Sequence, residues 1–194
     1  GVDATRDNQG FIMNKQKDTS ILNLTSKGDE YVKIQDASTV QLAGTAASWS
    51  CWVKLDSLSG GDQKLIAKAP SVGNTNSAYQ IRTNNDDLLL DIYSGGWRTD
   101  TRSDFFTSTD WTHVTVTIDA SDNVNFYKNG SVFGSEADIS YSVPANTGGL
   151  YIGNRAGGTD FLEGQIDNVL LYNKELSAAE VLRNYNAGKG SHRN

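Results

Sequence analysis

Four side chains could form a recognition surface. Gln80 and Arg82 alternate along the candidate strand Tyr79 to Thr83, and Asp91 and Tyr93 alternate along the next, Leu88 to Tyr93. Alternate residues of a strand share a face. If these strands are neighbours, Arg82, Asp91 and Tyr93 form a polar-aromatic patch. Trp97 follows in Ser94-Gly95-Gly96-Trp97-Arg98-Thr99, a polar glycine-rich stretch whose periodicity does not demand burial. Flat rings stack on the apolar face of a sugar, and a guanidinium and a carboxylate hydrogen-bond its hydroxyls. Trp97, Arg82, Asp91, Tyr93 and Arg98 are therefore the candidate ligand-binding set. The loop Ser71 to Ser77 would rim the same end. The plainer alternative is an Arg82–Asp91 cross-strand ion pair on a wet face, worth little, with Trp97 folded back to anchor its own loop.

Catalysis finds weaker support. Glycoside hydrolysis needs two carboxyls about 5 to 9.5 Å apart. Asp87 and Asp91 on one strand would stand roughly 13 Å apart at about 3.3 Å per residue. Asp86 and Asp87 are adjacent and point to opposite faces. A lyase would want a His or Tyr base beside Arg or Gln. His113 is flanked by threonines at the start of a strand, which suits a structural or surface role, and His192 lies in the C-terminal tail. No Gly-x-Ser-x-Gly, phosphate loop or zinc spacing occurs. The expectation is a chain that is not an enzyme.

The composition sets further bounds. With 17 Lys and Arg against 23 Asp and Glu, the formal charge is −6, which disfavours nucleic acid and anionic membrane surfaces. No 18-residue apolar run exists, so no membrane insertion is expected, and no leader pattern is visible from Gly1. The single cysteine excludes an intrachain disulfide. Cys51 lies in the apolar run Trp49-Ser50-Cys51-Trp52-Val53 and reads as a small buried hydrophobe.

Strands must position these groups. Trp49 to Leu55 alternates Trp49, Cys51 and Val53 against Ser50, Trp52 and Lys54. Trp111 to Asp119 keeps a period of two, with Thr112, Val114, Val116 and Ile118 on one face, which no helix satisfies. Asn129-Gly130 supplies the two positive φ angles of a tight hairpin between Val124–Lys128 and Ser131–Phe133. Ser177-Ala178-Ala179-Glu180 is a capping box that opens one late helix, stopping before Gly188. Many strands with one terminal helix predict an all-β antiparallel sandwich of two packed sheets. Residues 1–17 read as a polar N-terminal arm, 18–188 as the domain and 189–194 as a C-terminal tail.

Several segments resemble a known family. They are Ala47-Ser48-Trp49-Ser50-Cys51-Trp52-Val53-Lys54, the strand from Trp111 to Asp119, Phe126-Tyr127-Lys128-Asn129-Gly130, Tyr151-Ile152-Gly153-Asn154, and Phe161 to Tyr172 followed by Leu176-Ser177. In this order they resemble the laminin-G-like, concanavalin A-like lectin-glucanase jelly-roll domains, from about Asp18 to Gly188. The resemblance implies a jelly roll and a structural calcium ion where the first and last strands meet. Gly28, Asp29 and Asp167 match that metal site, and Asn154 and Asp160 of the loop from Asn154 to Asp160 are weaker candidates. The alternative is that Asp167 caps backbone amides of a neighbouring loop. The family's Glu-x-Asp-x-x-Glu catalytic strand is lacking. The resulting expectation is a non-catalytic carbohydrate-recognition module, extracellular or on a virion surface, that binds a cell-surface glycan. One alternative is a structural or adhesive surface protein, such as a virion decoration, knob or fibre domain, contacting protein partners. The other is a polysaccharide-active enzyme.

Overall fold

The computed structural model describes residues 3–7, 10–14, 22–24, 30–42, 44, 46–69, 78–136, 143–155 and 157–193. Two antiparallel sheets organise them. The larger runs β1 (Asp3–Asp7), β2 (Gly10–Asn14), β14 (Gly164–Tyr172), β5 (Ala47–Leu55), β10 (Thr112–Ile118), β11 (Val124–Lys128), β12 (Ser131–Glu136), and β3 (Leu22–Leu24) also pairs with β14. The smaller runs β4 (Val32–Ile34), β13 (Gly149–Ile152), β6 (Asp62–Ala69), β7 (Tyr79–Asn84), β8 (Asp87–Tyr93), β9 (Trp97–Arg102). One helix, α1 (Ala178–Gly188), follows the last strand. The turn at Gly28-Asp29 and the loop Ser71 to Ser77 lie outside the described residues.

Period-two alternation builds the core between the sheets. Val114, Val116 and Ile118 stand opposite Cys51, Trp49 and Ala47, and all six are buried with Ile66, Ile81, Leu88, Leu90 and Ile92. Each large apolar side chain removed from water contributes about 1.5–3 kcal/mol. Trp49 of one sheet meets Tyr79 of the other with ring centroids 4.9 Å apart. Cys51 is 1% exposed, and burial pushes its thiol up to about 12.

Two glycines are required by geometry. Asn129 and Gly130 take φ of 51° and 80°, the values that fit a twisted two-residue hairpin. Gly164 has φ +151°, and a Cβ there would fall 2.1 Å from the Lys54 carbonyl oxygen. A side chain at 164 would therefore force β14 away from β5.

The capping box closes as the sequence predicts. Ser177 Oγ accepts from the Glu180 N–H at 3.3 Å, and Glu180 Oε2 accepts from the Ser177 N–H at 2.9 Å. Such caps contribute about 1 kcal/mol. Lys174 at 2.6 Å and the Ser177 bonds hold the Glu180 carboxyl well below its ordinary range.

Two expectations need correction. The 1–17 arm contains the hairpin of β1 and β2, whose Phe11 and Ile12 pair with Leu171 and Leu170 of β14. The Gly-rich stretch before Trp97 is a turn into β9 rather than a loop through Thr99. Both segments pair through main-chain hydrogen bonds at a sheet edge, which need no apolar alternation. The outer face of the larger sheet is covered. Ser48, Ser50, Trp52, His113, Thr115 and Thr117 are all buried, because the segment after β14 folds back across them. Ser48 Oγ donates to the Lys174 carbonyl at 2.8 Å and accepts from the Leu176 N–H at 2.9 Å. Leu176 and Val181 then pack on Tyr127 and Tyr172.

Candidate functional site

The outer face of the smaller sheet carries the cleft. In the register, Lys64 of β6 faces Arg82 of β7, Gln80 of β7 faces Asp91 of β8, Asp91 faces Thr99 of β9, and Tyr93 faces Trp97. Their in-between neighbours Ile81, Leu90 and Ile92 point into the core, so these side chains point out. The loop after β13 closes one side with Arg155 and Asp160. Together they enclose a cleft of about 220 Å³.

A continuous network of charges lines it. Arg82 Nε donates to Asp91 Oδ2 at 2.5 Å, and Thr99 Oγ1 donates to Asp91 Oδ1 at 2.7 Å. Arg82 also reaches Asp62 at 3.4 Å, and Asp62 accepts from Lys64 Nζ at 2.6 Å. Asp160 lies 3.5 Å from Lys64 Nζ and 3.1 Å from Arg155. Lys64, Gln80 and Asp91 are only 3%, 3% and 5% exposed. The charges balance, with Lys64, Arg82 and Arg155 against Asp62, Asp91 and Asp160. Beside them Tyr93 and Trp97 form a T-shaped pair with centroids 5.3 Å apart, both half-buried.

Of the five residues expected to bind ligand, Arg82, Asp91 and Trp97 line this cleft, and Tyr93 braces Trp97. Arg98 does not join them. It faces Ile92 across β8 and β9 and so projects to the opposite side of the sheet. The cross-strand Arg82–Asp91 pair weighed as the plain alternative also exists, as the centre of a part-buried network whose Asp62 stays exposed. Sequence reasoning missed Asp62, Lys64, Thr99 and Arg155. Asp62 and Lys64 are two apart in a strand, a signal that they share a face. Arg155 and Asp160 carry no such signal, since only the loop after β13 brings them in.

The calcium expectation meets a different arrangement. Gly28 and Asp29 lie outside the described residues. Asp167 is buried on the outer face of the larger sheet. Its Oδ1 accepts from the Asn168 N–H at 2.8 Å, and its Oδ2 lies 3.0 Å from His192 Nε2. His192 Nδ1 faces the Gly188 carbonyl at 2.8 Å. Both ring nitrogens thus face oxygens, and the ring stacks on Trp52 at 4.4 Å and 4°. Among the described residues no group of three acidic, His or Cys side chains could hold a metal. His192, in the segment read as a C-terminal tail, packs against the sandwich and is 5% exposed.

Two antiparallel sheets on one apolar layer, with a polar cleft on an outer face, define a jelly-roll β-sandwich. Residues 26–182 match the family model of the concanavalin A-like lectin/glucanases superfamily, and the chain belongs to that family. No curated protein matches it. Among solved structures it is similar to the binding domain of botulinum neurotoxin DC in complex with rat synaptotagmin II, with TM-score 0.69 and 15% identity over 96% of this chain and 47% of that one. It is also similar to the binding domain of Paraclostridial Mosquitocidal Protein 1, with TM-score 0.68, 15% identity and coverage of 96% and 47%. The botulinum neurotoxin serotype D ligand binding domain in complex with N-acetylneuraminic acid gives 0.65 and 15%, with coverage of 96% and 45%. The chain thus spans less than half the length of each.

Proposed function

We propose that this chain is a non-catalytic recognition module that seats a neutral sugar ring in the cleft above β6 to β9. The observation that carries this reading is the charge-balanced, part-buried network beside the Tyr93–Trp97 pair. A neutral ring offers hydroxyls that both donate and accept, and an apolar C–H face. The network supplies donors and acceptors without net charge, and Trp97 supplies a flat surface. The volume of about 220 Å³ is below the roughly 300–1,000 Å³ of sites for drug-sized ligands, which suits one ring. The serotype D neighbour bound to N-acetylneuraminic acid supports a carbohydrate reading. Cell-surface glycans are met outside the cell, so the reading carries an extracellular or virion-surface setting.

The three carboxylates do not make the cleft an active site in this reading. Each accepts from a cationic donor: Asp91 from Arg82, Asp62 from Lys64, Asp160 from Arg155. A glycosidase acid must instead keep its proton.

Screening the protein against a neutral glycan array tests the proposal. At least one ligand is expected, and Trp97→Ala is expected to weaken it about tenfold or more while the melting curve stays near wild type, since stacking on one ring contributes on the order of 1–3 kcal/mol. Unchanged affinity in the variant would remove the cleft from sugar binding.

A further inference from the structure

A second and larger pocket, of about 690 Å³, opens on the opposite face of the sandwich between β10, the Asn129-Gly130 turn and the end of α1. Its floor is aromatic. Trp111 meets His192 edge-on at 4.7 Å, and Trp52 lies beneath His192. Tyr185 of α1 forms a wall, stacked over Trp52 at 5.5 Å. It can sit there because Gly130 has no Cβ, which would come within 2.9 Å of its ring. Asn129 is fixed by accepting the His113 N–H at 2.9 Å, so its NH2 group remains a donor at the wall. Lys189 and Arg193 stand at the rim, both exposed.

The charge of this pocket differs from that of the cleft. Asp167 answers His192 from behind. No described lining residue is a carboxylate, and among the described residues Lys189 and Arg193 pair with none. Two exposed positive charges therefore stand over aromatic rings with no carboxylate partner among the described residues, in a chain whose formal charge is −6. We propose that this pocket is a second ligand site, for a pyranose that carries a carboxylate. The sugar's C–H face lies on Trp111, its hydroxyls meet Asn129, and its carboxylate meets Lys189 and Arg193, a guanidinium being suited to two parallel bonds. The site is independent of the neutral-sugar reading of the cleft.

Calorimetric titration separates the two. A galacturonate oligomer and a sialylated lactose are titrated beside their carboxyl-reduced and unsialylated counterparts. At least one acidic sugar is expected to bind, to weaken as salt screens the contact, and to lose about tenfold or more in the Lys189→Gln, Arg193→Gln double variant. Both substitutions are at exposed positions and leave the rings in place. Trp97→Ala is expected to leave acidic-sugar affinity unchanged. The proposal is overturned if no acidic sugar binds, if the neutral counterparts bind equally well, if the double variant keeps full affinity, or if Trp97→Ala abolishes binding, which would move the ligand to the first cleft.

Discussion

Lowering the pH from 7 to 4 is expected to remove about 3 kcal/mol of stability through a single ring, His113, with the loss approaching roughly 4 kcal/mol by pH 3. His113 is 2% exposed on the outer face of β10. Burial first, and then the charge of His192, hold it down to about 3 from its ordinary 6.5. Its Nε2 lies 3.0 Å from Ser50 Oγ, while its Nδ1 has no hydrogen-bond partner. Protonation would therefore bury an N–H with nothing to accept it. Between these two values the unfolded chain binds the proton and the native state does not. Stability from this ring is thus complete above about pH 6.5 and falls as the pH falls toward 3. Urea unfolding at pH 7 and pH 4 measures it, in the wild type and in His113→Gln. The wild-type loss is expected to exceed that of the variant by the stated amount. Equal losses would show that the ring does not control the acid limb.

The second large effect is at Asp91. Asp91→Ala is expected to destabilise the protein by about 3 kcal/mol, the lower end for breaking a buried ion pair, and to abolish neutral-sugar binding. The lower end applies because Arg82, at 15% side-chain exposure, keeps Asp62 at 3.4 Å. Thr99 also loses its acceptor. The cost comes mainly from the charge left behind, so the paired substitution Arg82→Met, Asp91→Leu is expected to recover most of the stability. It is not expected to recover the sugar. Chemical denaturation and glycan binding on all three variants check both statements. Recovery of binding in the apolar pair would dissociate the network from recognition.

The sandwich was legible where side chains alternate by burial. Trp49, Cys51 and Val53 against Val114, Val116 and Ile118 announced two strands and their inward faces, and Asn129-Gly130 and Ser177 to Glu180 marked a turn and a helix start with residues that have few other uses. The edges were not legible. β9 reads Trp-Arg-Thr-Asp-Thr-Arg, without an apolar rhythm, because an edge strand is held by its backbone. The cleft was half legible for the same reason. Arg82 and Asp91 share a face by counting along two predicted strands. Arg155 and Asp160 reach the same face only through a loop, and no local pattern encodes that approach. His192 was not legible because its value lies in distant Trp52 and Asp167, which spacing along the chain cannot reveal.

The placement of the sole thiol has a practical outcome. Cys51 sits in the central strand of the larger sheet, sealed by both layers, and its reluctance to ionise makes it a poor nucleophile while the sheets stay together. An alkylating reagent can reach it only when the sandwich parts. Labelling by iodoacetamide therefore acts as a clock for global opening, read by mass without any engineered probe.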